Sequence, residues 1–289
     1  VYTSNRGDNT VTKITPGGSS SVLGTTGSKP IDVAVDAAGN VYTTNYADST
    51  VTKITPGGVS SVHAATGSRP LGITLDRQGN VYTANEGANN VTKITPGGAA
   101  STLGKTGSWP QAIAIDRSGN IYTANWNSRN VSKITPKGSS AIYGKTGRRP
   151  IGIAVDPHGA VFTTNDGANS VSKINRKGRS KVIASTGRRP IGIASDAAGF
   201  LYTANFLSNT ITEIYPSPKG SPSVLTLNTV SVLKPGNRKA WIIPFWNDVY
   251  GSKAECEAAF PGVRAIIDQD ADPAVQAASA TNCMGVGQV

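Results

Sequence analysis

Two positions that recur every 40 residues carry side chains suited to molecular recognition. The first follows a repeated asparagine and holds Arg6, Tyr46, Glu86, Trp126, Asp166 and Phe206. The second precedes a repeated proline and holds Lys29, Arg69, Trp109, Arg149 and Arg189. Exposed aromatic rings suit sugar rings or apolar side chains, and guanidinium groups suit carboxylates, sulfates or phosphates. The sequence therefore predicts ligand binding here. The alternative is ordinary loop variation, with the aromatic rings packed on neighbouring loops.

Residues for acid–base or nucleophilic catalysis are scarce. The chain holds two histidines, His63 in a predicted outer strand and His158 in a predicted turn, and this placement does not favour a catalytic pair. No G-x-S-x-G elbow, H-E-x-x-H helix or Ser/His/Asp set is visible. These features favour a binding protein over an enzyme, and no cofactor is predicted.

The acidic run Asp268, Asp270 and Asp272 begins like a calcium-binding loop. It lacks the glycine and the distal glutamate of an EF-hand, so a solvated acidic turn is the favoured interpretation. No metal site is predicted.

The elements that must position the variable side chains come from a repeat with a period of 40 residues. Its copies start at Val1, Val41, Val81, Ile121, Val161 and Leu201. One copy contains four short β-forming runs, which are VYTTN, VTKIT, SVHAA and LGITLD, separated by turn residues such as Pro56 and Gly57. Four short strands per repeat, without helical periodicity, predict the blades of an all-β propeller. The repeated residues represented by Asp36 and Asn45 are interpreted as scaffold.

The repeat resembles a known family. Its clearest copy, PIGIAVDPHGAVFTTNDGANSVSKIN at 150–175, resembles the NHL repeat of six-bladed β-propellers. The chain is similar to the extracellular sensor propeller of a mycobacterial serine/threonine kinase and, more distantly, to the streptogramin lyases. This resemblance implies four-stranded antiparallel blades with both variable positions on one binding face. Streptogramin lyases use a histidine base and a metal-binding acidic residue near the central axis. No histidine here matches that position, and Asp32 is the one additional ionisable residue in the central strands.

The propeller is predicted to span residues 1–229. Five full blades occupy 30–69, 70–109, 110–149, 150–189 and 190–229, and a partial blade occupies 1–29. The missing innermost strand of the sixth blade is predicted from residues 239–244. A truncated N-terminus that has lost this strand is the alternative.

Residues 230–289 are predicted to close and cap the propeller as a partly helical extension. Capping residues predict short helices over 253–260 and 272–280. Cys256 and Cys283 are the two cysteines of the chain, and a disulfide between them would indicate an oxidising compartment. Two free cysteines remain the alternative. The aromatic residues of the tail serve either the cap or a partner.

The chain is strongly basic, with a net charge of +11. Arginine and lysine concentrate in the fourth and fifth blades, which favours a glycan, an anionic polymer or a protein as partner. Nucleic acid is disfavoured, because no nucleic-acid-binding fold or motif accompanies the charge. No apolar run predicts a transmembrane helix, and the start at Val1 predicts a processed N-terminus.

The predicted protein is therefore an extracellular or cell-surface propeller that binds a ligand or serves as a scaffold. A metal-dependent lyase or hydrolase and a structural subunit of an extracellular assembly are the alternatives.

Overall fold

The structure is a computed structural model that describes residues 1–195, 199–215 and 223–227. The chain separates into two units, Val1–Val230 and Ser231–Val289, and the described residues belong to the first. The predicted closing strand, the tail helices, the acidic run and the Cys256–Cys283 disulfide all lie outside the described residues.

The described residues form strands and turns, without a helix among them, and the strands lie in six antiparallel sheets. Sheet 1 has three strands, which are β1 (Tyr2–Asn5), β2 (Thr10–Ile14) and β3 (Ser20–Thr25). Sheets 2 to 6 have four strands each, in chain order. Their first strands are β4 (Pro30–Val35), β8 (Pro70–Leu75), β12 (Pro110–Ile115), β16 (Pro150–Val155) and β20 (Pro190–Ser195). Their second strands are β5 (Val41–Asn45), β9 (Val81–Asn85), β13 (Ile121–Asn125), β17 (Val161–Asn165) and β21 (Leu201–Asn205). Their third strands are β6 (Thr50–Ile54), β10 (Asn90–Ile94), β14 (Asn130–Ile134), β18 (Ser170–Ile174) and β22 (Thr210–Tyr215). Their fourth strands are β7 (Ser60–Ala65), β11 (Ala100–Lys105), β15 (Ser140–Lys145), β19 (Ser180–Ser185) and β23 (Ser223–Leu227). The all-β prediction is confirmed for this part of the chain.

The second strands of sheets 2 to 5 are buried on both faces. All five residues of β5 are buried, because successive side chains point to opposite faces and each face meets a neighbouring sheet. The β-branched residues of VYTTN fit such a pleated, enclosed position. The strand pairs with β6 in a register that sets Val41 opposite Ile54 and Asn45 opposite Thr50.

The hydrophobic core lies between consecutive sheets. Sheets 2 and 3 meet through Tyr42, Val51, Ala64, Ile73, Val81 and Ile94. Equivalent clusters join the other consecutive pairs from sheet 1 to sheet 6. Burial of each large apolar side chain stabilises the fold by roughly 1.5–3 kcal/mol.

The outward flanks of sheets 1 and 6 are uncovered among the described residues. Val1 is 80% exposed, whereas the equivalent Val41 is fully buried. Ala204 of sheet 6 is exposed, whereas the equivalent Thr164 is fully buried. Within the described ranges, no hydrophobic cluster joins sheet 6 to sheet 1.

The repeated asparagine has a structural role in the scaffold. Asn45 is fully buried, and its side-chain amide donates hydrogen bonds to the hydroxyl oxygens of Thr50 and Thr52, each at 2.9 Å. The amide therefore fixes the turn between β5 and β6.

The repeated aspartate stabilises the opposite end of sheets 2, 3 and 4. The Asp36 carboxylate accepts hydrogen bonds from the Asn40 backbone and side chain, each at 2.8 Å, and from the Tyr42 hydroxyl at 3.1 Å. Burial opposes the charge, but these donors still lower the pKa of Asp36. Burial and the hydrogen bond to Asp36 raise the pKa of Tyr42 to about 12.

Sheet 5 departs from this arrangement. Ala160 and Phe162 replace the asparagine and the tyrosine. From this turn and strand, the Asp156 carboxylate therefore accepts only the backbone N–H of Ala160, at 2.8 Å.

Candidate functional site

The two variable positions lie side by side at one end of the sheets, which we call the loop face. It consists of the turns that follow the second strands and the segments that precede the first strands. The backbone N–H of Trp126 donates to the carbonyl oxygen of Trp109 at 2.9 Å, and Tyr46 donates in the same way to Lys29 at 3.1 Å. The equivalent bonds join Glu86 to Arg69, Asp166 to Arg149 and Phe206 to Arg189. Ten of the eleven variable residues are therefore joined in pairs on one face, and Arg6 lies in the equivalent turn after β1, while the role of all eleven in binding stays a prediction.

The residue before each repeated proline adopts a left-handed backbone. The φ angle is +59° at Trp109 and between +54° and +55° at Lys29, Arg69, Arg149 and Arg189. A residue with a Cβ atom pays roughly 1–2 kcal/mol for this conformation. The Trp109 N–H is held by the Asn89 side-chain oxygen at 2.8 Å. Because lysine, arginine and tryptophan all adopt this backbone at the equivalent positions, the conformation belongs to the repeated loop and not to any one side chain.

Close packing makes the loop face rigid. A Cβ atom added to Gly67 would lie 2.7 Å from the amide nitrogen of Asn85, so only glycine fits beside the buried asparagine. The Gly67 N–H donates to the Thr92 hydroxyl at 3.1 Å, which ties this loop to the next sheet.

Trp109, Trp126 and Arg149 form a cluster that we call the tryptophan stack. The two indole rings lie 5.3 Å apart with an angle of 21° between their planes. The Arg149 guanidinium carbon lies 4.9 Å from the centroid of the Trp126 ring. Trp126 is partly buried by these contacts, whereas Trp109 is 46% exposed. The stack thus offers an aromatic surface and a cation together.

A polar group lies beside the stack. The Glu86 carboxylate accepts hydrogen bonds from the Tyr46 hydroxyl at 3.2 Å and from the Gln111 amide at 3.1 Å. Burial is the largest cause that raises the pKa of Tyr46, and the negative charge of Glu86 raises it further. The neutral phenol therefore serves as a hydrogen-bond donor. Arg69 lies 5.9 Å from the Tyr46 ring. Sequence reasoning missed Gln111, although the equivalent positions hold only aliphatic residues, Ile31, Leu71, Ile151 and Ile191.

Arg189 contacts variable residues of two sheets, Asp166 of sheet 5 and Phe206 of sheet 6. Arg189 forms an ion pair with the buried Asp166, with 2.9 Å between Nε and Oδ1. Its guanidinium carbon also lies 5.4 Å from the Phe206 ring, which is 60% exposed. Arg6 is exposed, and its charge acts on Tyr46. The rings therefore do pack on neighbouring side chains, yet Trp109 and Phe206 keep large exposed surfaces.

The described residues do not fit the metal implied by the resemblance to streptogramin lyases. The Asp32 carboxylate accepts the backbone N–H groups of Val33 at 2.9 Å and Ile73 at 3.1 Å, which ties β4 to β8. Burial raises the pKa of Asp32, so the environment opposes its charge. Across the described ranges, no three His, Cys, Asp or Glu side chains converge to hold a metal ion.

Neither histidine belongs to the loop face. His63 lies in β7 with its ring 5.2 Å from the Tyr42 ring, and burial lowers its pKa. His158 lies in the turn after β16, at the opposite end of the sheet, where its carbonyl oxygen accepts a hydrogen bond from Arg176.

These features define a β-propeller protein whose two variable positions share its loop face. The Virginiamycin B lyase family matches residues 1–231, and the chain belongs to this family. No curated relative matches the chain.

Solved structures of low sequence identity share the fold. A selenomethionine-substituted virginiamycin B lyase from Staphylococcus aureus superposes with a TM-score of 0.68 at 18% identity, over 79% of this chain and 80% of that one. A catalytically inactive histidine-to-alanine variant of the S. aureus lyase with quinupristin gives 0.66 at 19% identity, over 76% and 78%. A chain of a nidogen/laminin complex gives 0.60 at 17% identity, over 76% and 96%.

Proposed function

We propose that the protein is a six-bladed propeller whose loop face binds a ligand with a flat or ring-shaped apolar surface and an acidic group, with an acidic sugar as the leading class. The observation that carries the proposal is the tryptophan stack, in which a half-exposed indole lies beside a guanidinium group. A sugar ring suits an aromatic face, and a carboxylate suits arginine.

The charge balance of the loop face supports an acidic ligand. Arg148, Arg149 and Arg188 are exposed there, and among the described residues the one ion pair joins Arg189 to Asp166. A carboxylate or sulfate on the ligand would supply the opposite charge for the other arginines. Because the side chains of the stack already contact one another, little conformational freedom would be lost on binding.

A glycan array tests this proposal. The protein, probed at low and at physiological salt, should retain acidic glycans at both concentrations, because stacking persists when charge is screened. Trp126→Ala should lose the same glycans, while its unfolding midpoint shows that the fold is intact. Equal binding by the wild type and Trp126→Ala would refute the assignment of the site, and the absence of any retained acidic glycan would refute the ligand class.

Family membership favours a second candidate, a lyase that acts on virginiamycin B or quinupristin. The positions of His63 and His158 away from the loop face oppose it, because the inactive S. aureus variant has lost a histidine. Liquid chromatography with tandem mass spectrometry of quinupristin incubated with the protein and divalent cations tests this candidate, because a ring opened by elimination keeps the mass of the substrate. We expect an unchanged retention time and fragmentation pattern, and a product of the same mass with the fragmentation of a linear peptide would favour the lyase.

The uncovered flanks of sheets 1 and 6 favour a third candidate, a structural subunit of an extracellular assembly. Light scattering of the purified chain tests it, because a stable oligomer is expected only for the structural subunit.

We also propose a location outside the cell or at its surface. Fractionation of the producing cells should find the protein outside the cytoplasm. Among the described residues, no helix has the length and apolarity needed to cross a bilayer.

A further inference from the structure

A second recognition surface lies away from the loop face, at the edge of sheet 5. Five of the nine residues at 173–181 are lysine or arginine, whereas the equivalent windows 13–21, 53–61 and 93–101 hold one each and 133–141 holds two. We call residues 173–181 the cationic edge. The structure separates it from the arginines of the loop face, because its turn joins β18 to β19 at the opposite end of the sheet.

The cationic edge concentrates like charge in a rigid backbone. Lys173 and Lys181 are direct cross-strand partners, whereas Lys53 faces Ser61 at the equivalent place in sheet 2. Like charges opposite each other destabilise a strand pair. Lys181 is exposed, while Lys173 contacts the Phe162 ring at 5.3 Å. Nothing in the packing of sheet 5 requires the second lysine.

Hydrogen bonds fix the backbone of the turn that carries these cations. The Asn175 side-chain oxygen accepts the backbone N–H groups of Lys177 and Arg179, each at 3.0 Å. The Asn175 carbonyl accepts the Tyr143 hydroxyl of sheet 4 at 3.0 Å, which anchors the turn to the neighbouring sheet. Arg176 binds the carbonyl of His158 through Nε, so its charge is fixed beside the turn.

Among the residues that the structure describes, no carboxylate forms an ion pair with this surface. Arg176, Lys177, Arg179 and Lys181 are exposed, and none of them takes part in an ion pair among the described residues. We propose that the cationic edge docks a linear acidic polysaccharide, whose charged groups would lie against a row of cations on one strand and its turn. Charge complementarity supplies the attraction.

The surface favours a polysaccharide over single-stranded nucleic acid. Proteins that bind single strands interleave cations with aromatic rings on which bases stack. The aromatic residues beside the cationic edge are Tyr143, which is half-buried and bonded to Asn175, and Phe162, which is buried beneath Lys173. The described part of the edge therefore offers charge without a stacking surface.

A charge-matched pair of variants tests the proposal with dextran sulfate as the probe. The edge variant carries Asn175→Thr, Arg176→Pro, Lys177→Gly, Arg179→Ser and Lys181→Ser, which reproduces the turn at 15–21. The control removes the same number of charges elsewhere with residues found at equivalent positions of other repeats, through Arg77→Ala, Lys105→Ala, Arg129→Asn and Lys145→Ala.

Fluorescence anisotropy with labelled dextran sulfate over a series of salt concentrations gives the result. We expect the edge variant to lose roughly 30-fold in affinity at low salt. The slope of log K against the logarithm of the salt concentration should become less negative by about 3, because each released counterion contributes about one to the slope. The control should lose less than about threefold. Equal losses in both variants would overturn the proposal in favour of overall charge, and tighter binding of duplex DNA than of dextran sulfate would overturn the polysaccharide class.

The cationic edge is independent of the loop-face proposal, and the two fail separately. The edge variant should keep the wild-type affinity for the short acidic glycans of the array, which the loop face binds. The substitution Trp126→Ala should keep the wild-type affinity for dextran sulfate. A loss of dextran sulfate binding in Trp126→Ala alone would place the polymer on the loop face and overturn the edge proposal.

Discussion

Replacing Trp109 by arginine should separate ligand binding from fold stability. The chain already tolerates arginine before the repeated proline at Arg69, Arg149 and Arg189, each with the same left-handed backbone. In sheet 6, Arg189 lies 5.4 Å from the ring of Phe206, which is the arrangement that Trp109→Arg would create against Trp126. The substitution therefore preserves the local geometry while it removes the indole surface.

The expected change in stability is small. Loss of the Trp109–Trp126 stack costs about 1 kcal/mol, since aromatic pairs contribute roughly 0.5–1.5 kcal/mol. The new contact between a guanidinium group and Trp126 returns about 0.5–1 kcal/mol. The free energy of unfolding should thus change by less than about 0.5 kcal/mol, which urea unfolding followed by circular dichroism can measure.

The expected change in binding is large. Trp109 is 46% exposed, and a tryptophan that buries up to roughly 250 Å² when fully enclosed leaves about 100 Å² for a ligand. At about 25 cal/mol per Å² this surface contributes roughly 2.5 kcal/mol. Allowing for the arginine stem and for about 0.5 kcal/mol of attraction between its charge and the acidic group of the ligand, we expect a net loss of about 1.5 kcal/mol, or roughly tenfold in Kd.

Isothermal titration with the strongest acidic glycan from the array measures this loss. Trp109→Ala serves as the comparison, because it also removes the indole but supplies no replacement contact to Trp126. An unchanged Kd for Trp109→Arg, with unfolding also unchanged, would refute the role of the tryptophan stack.

Three further predictions concern the scaffold. Tyr42→Phe removes a hydrogen bond to a carboxylate and should destabilise the fold by about 1.5–3 kcal/mol at neutral pH. The lowered pKa of Asp36 contributes stability that is lost as pH falls through that pKa, so the difference from wild type should shrink in urea unfolding below about pH 4. The paired change Ala160→Asn and Phe162→Tyr restores the missing donors to Asp156 and should raise the unfolding midpoint, and a lowered midpoint would contradict the role of these bonds. We propose that residues 230–289 close and cap the propeller, with 239–244 as the innermost strand of sheet 1 and a Cys256–Cys283 disulfide. Deletion of this segment should lower Tm, the non-reduced protein should show no free thiol, and an unchanged Tm would contradict the closure.

The fold was readable from the sequence because the repeat determines both strands and turns. The run VYTTN predicts a strand, and the residues after Asn45 and before Pro70 are the places where the chain must turn. The resemblance to NHL-type propellers implied that the two variable positions share one face, and the antiparallel pairing of the first and second strands explains why they do. The structure confirms the strands and places the two positions in direct backbone contact.

The contacts within the site could not be read in the same way. Gln111 reaches Glu86 from a different sheet, and the distance between sheets is not encoded in a repeat period. The left-handed backbone of Trp109 is set by the loop, because lysine, arginine and tryptophan share it. The division of the basic residues between two ends of the sheets depends on strand direction. The sequence analysis grouped these basic residues in one patch, whereas the structure places Arg149 and Arg179 at opposite ends of sheet 5.

The most direct test of the loop-face proposal follows the indole N–H resonances of the four tryptophans, Trp109, Trp126, Trp241 and Trp246. Each resonance is assigned by single substitution to phenylalanine, and the protein is titrated with the strongest acidic glycan from the array. The tryptophan stack predicts that the Trp109 and Trp126 resonances shift together and saturate at the Kd measured by calorimetry. Saturable shifts confined to Trp241 or Trp246, with Trp109 and Trp126 unmoved, would contradict it.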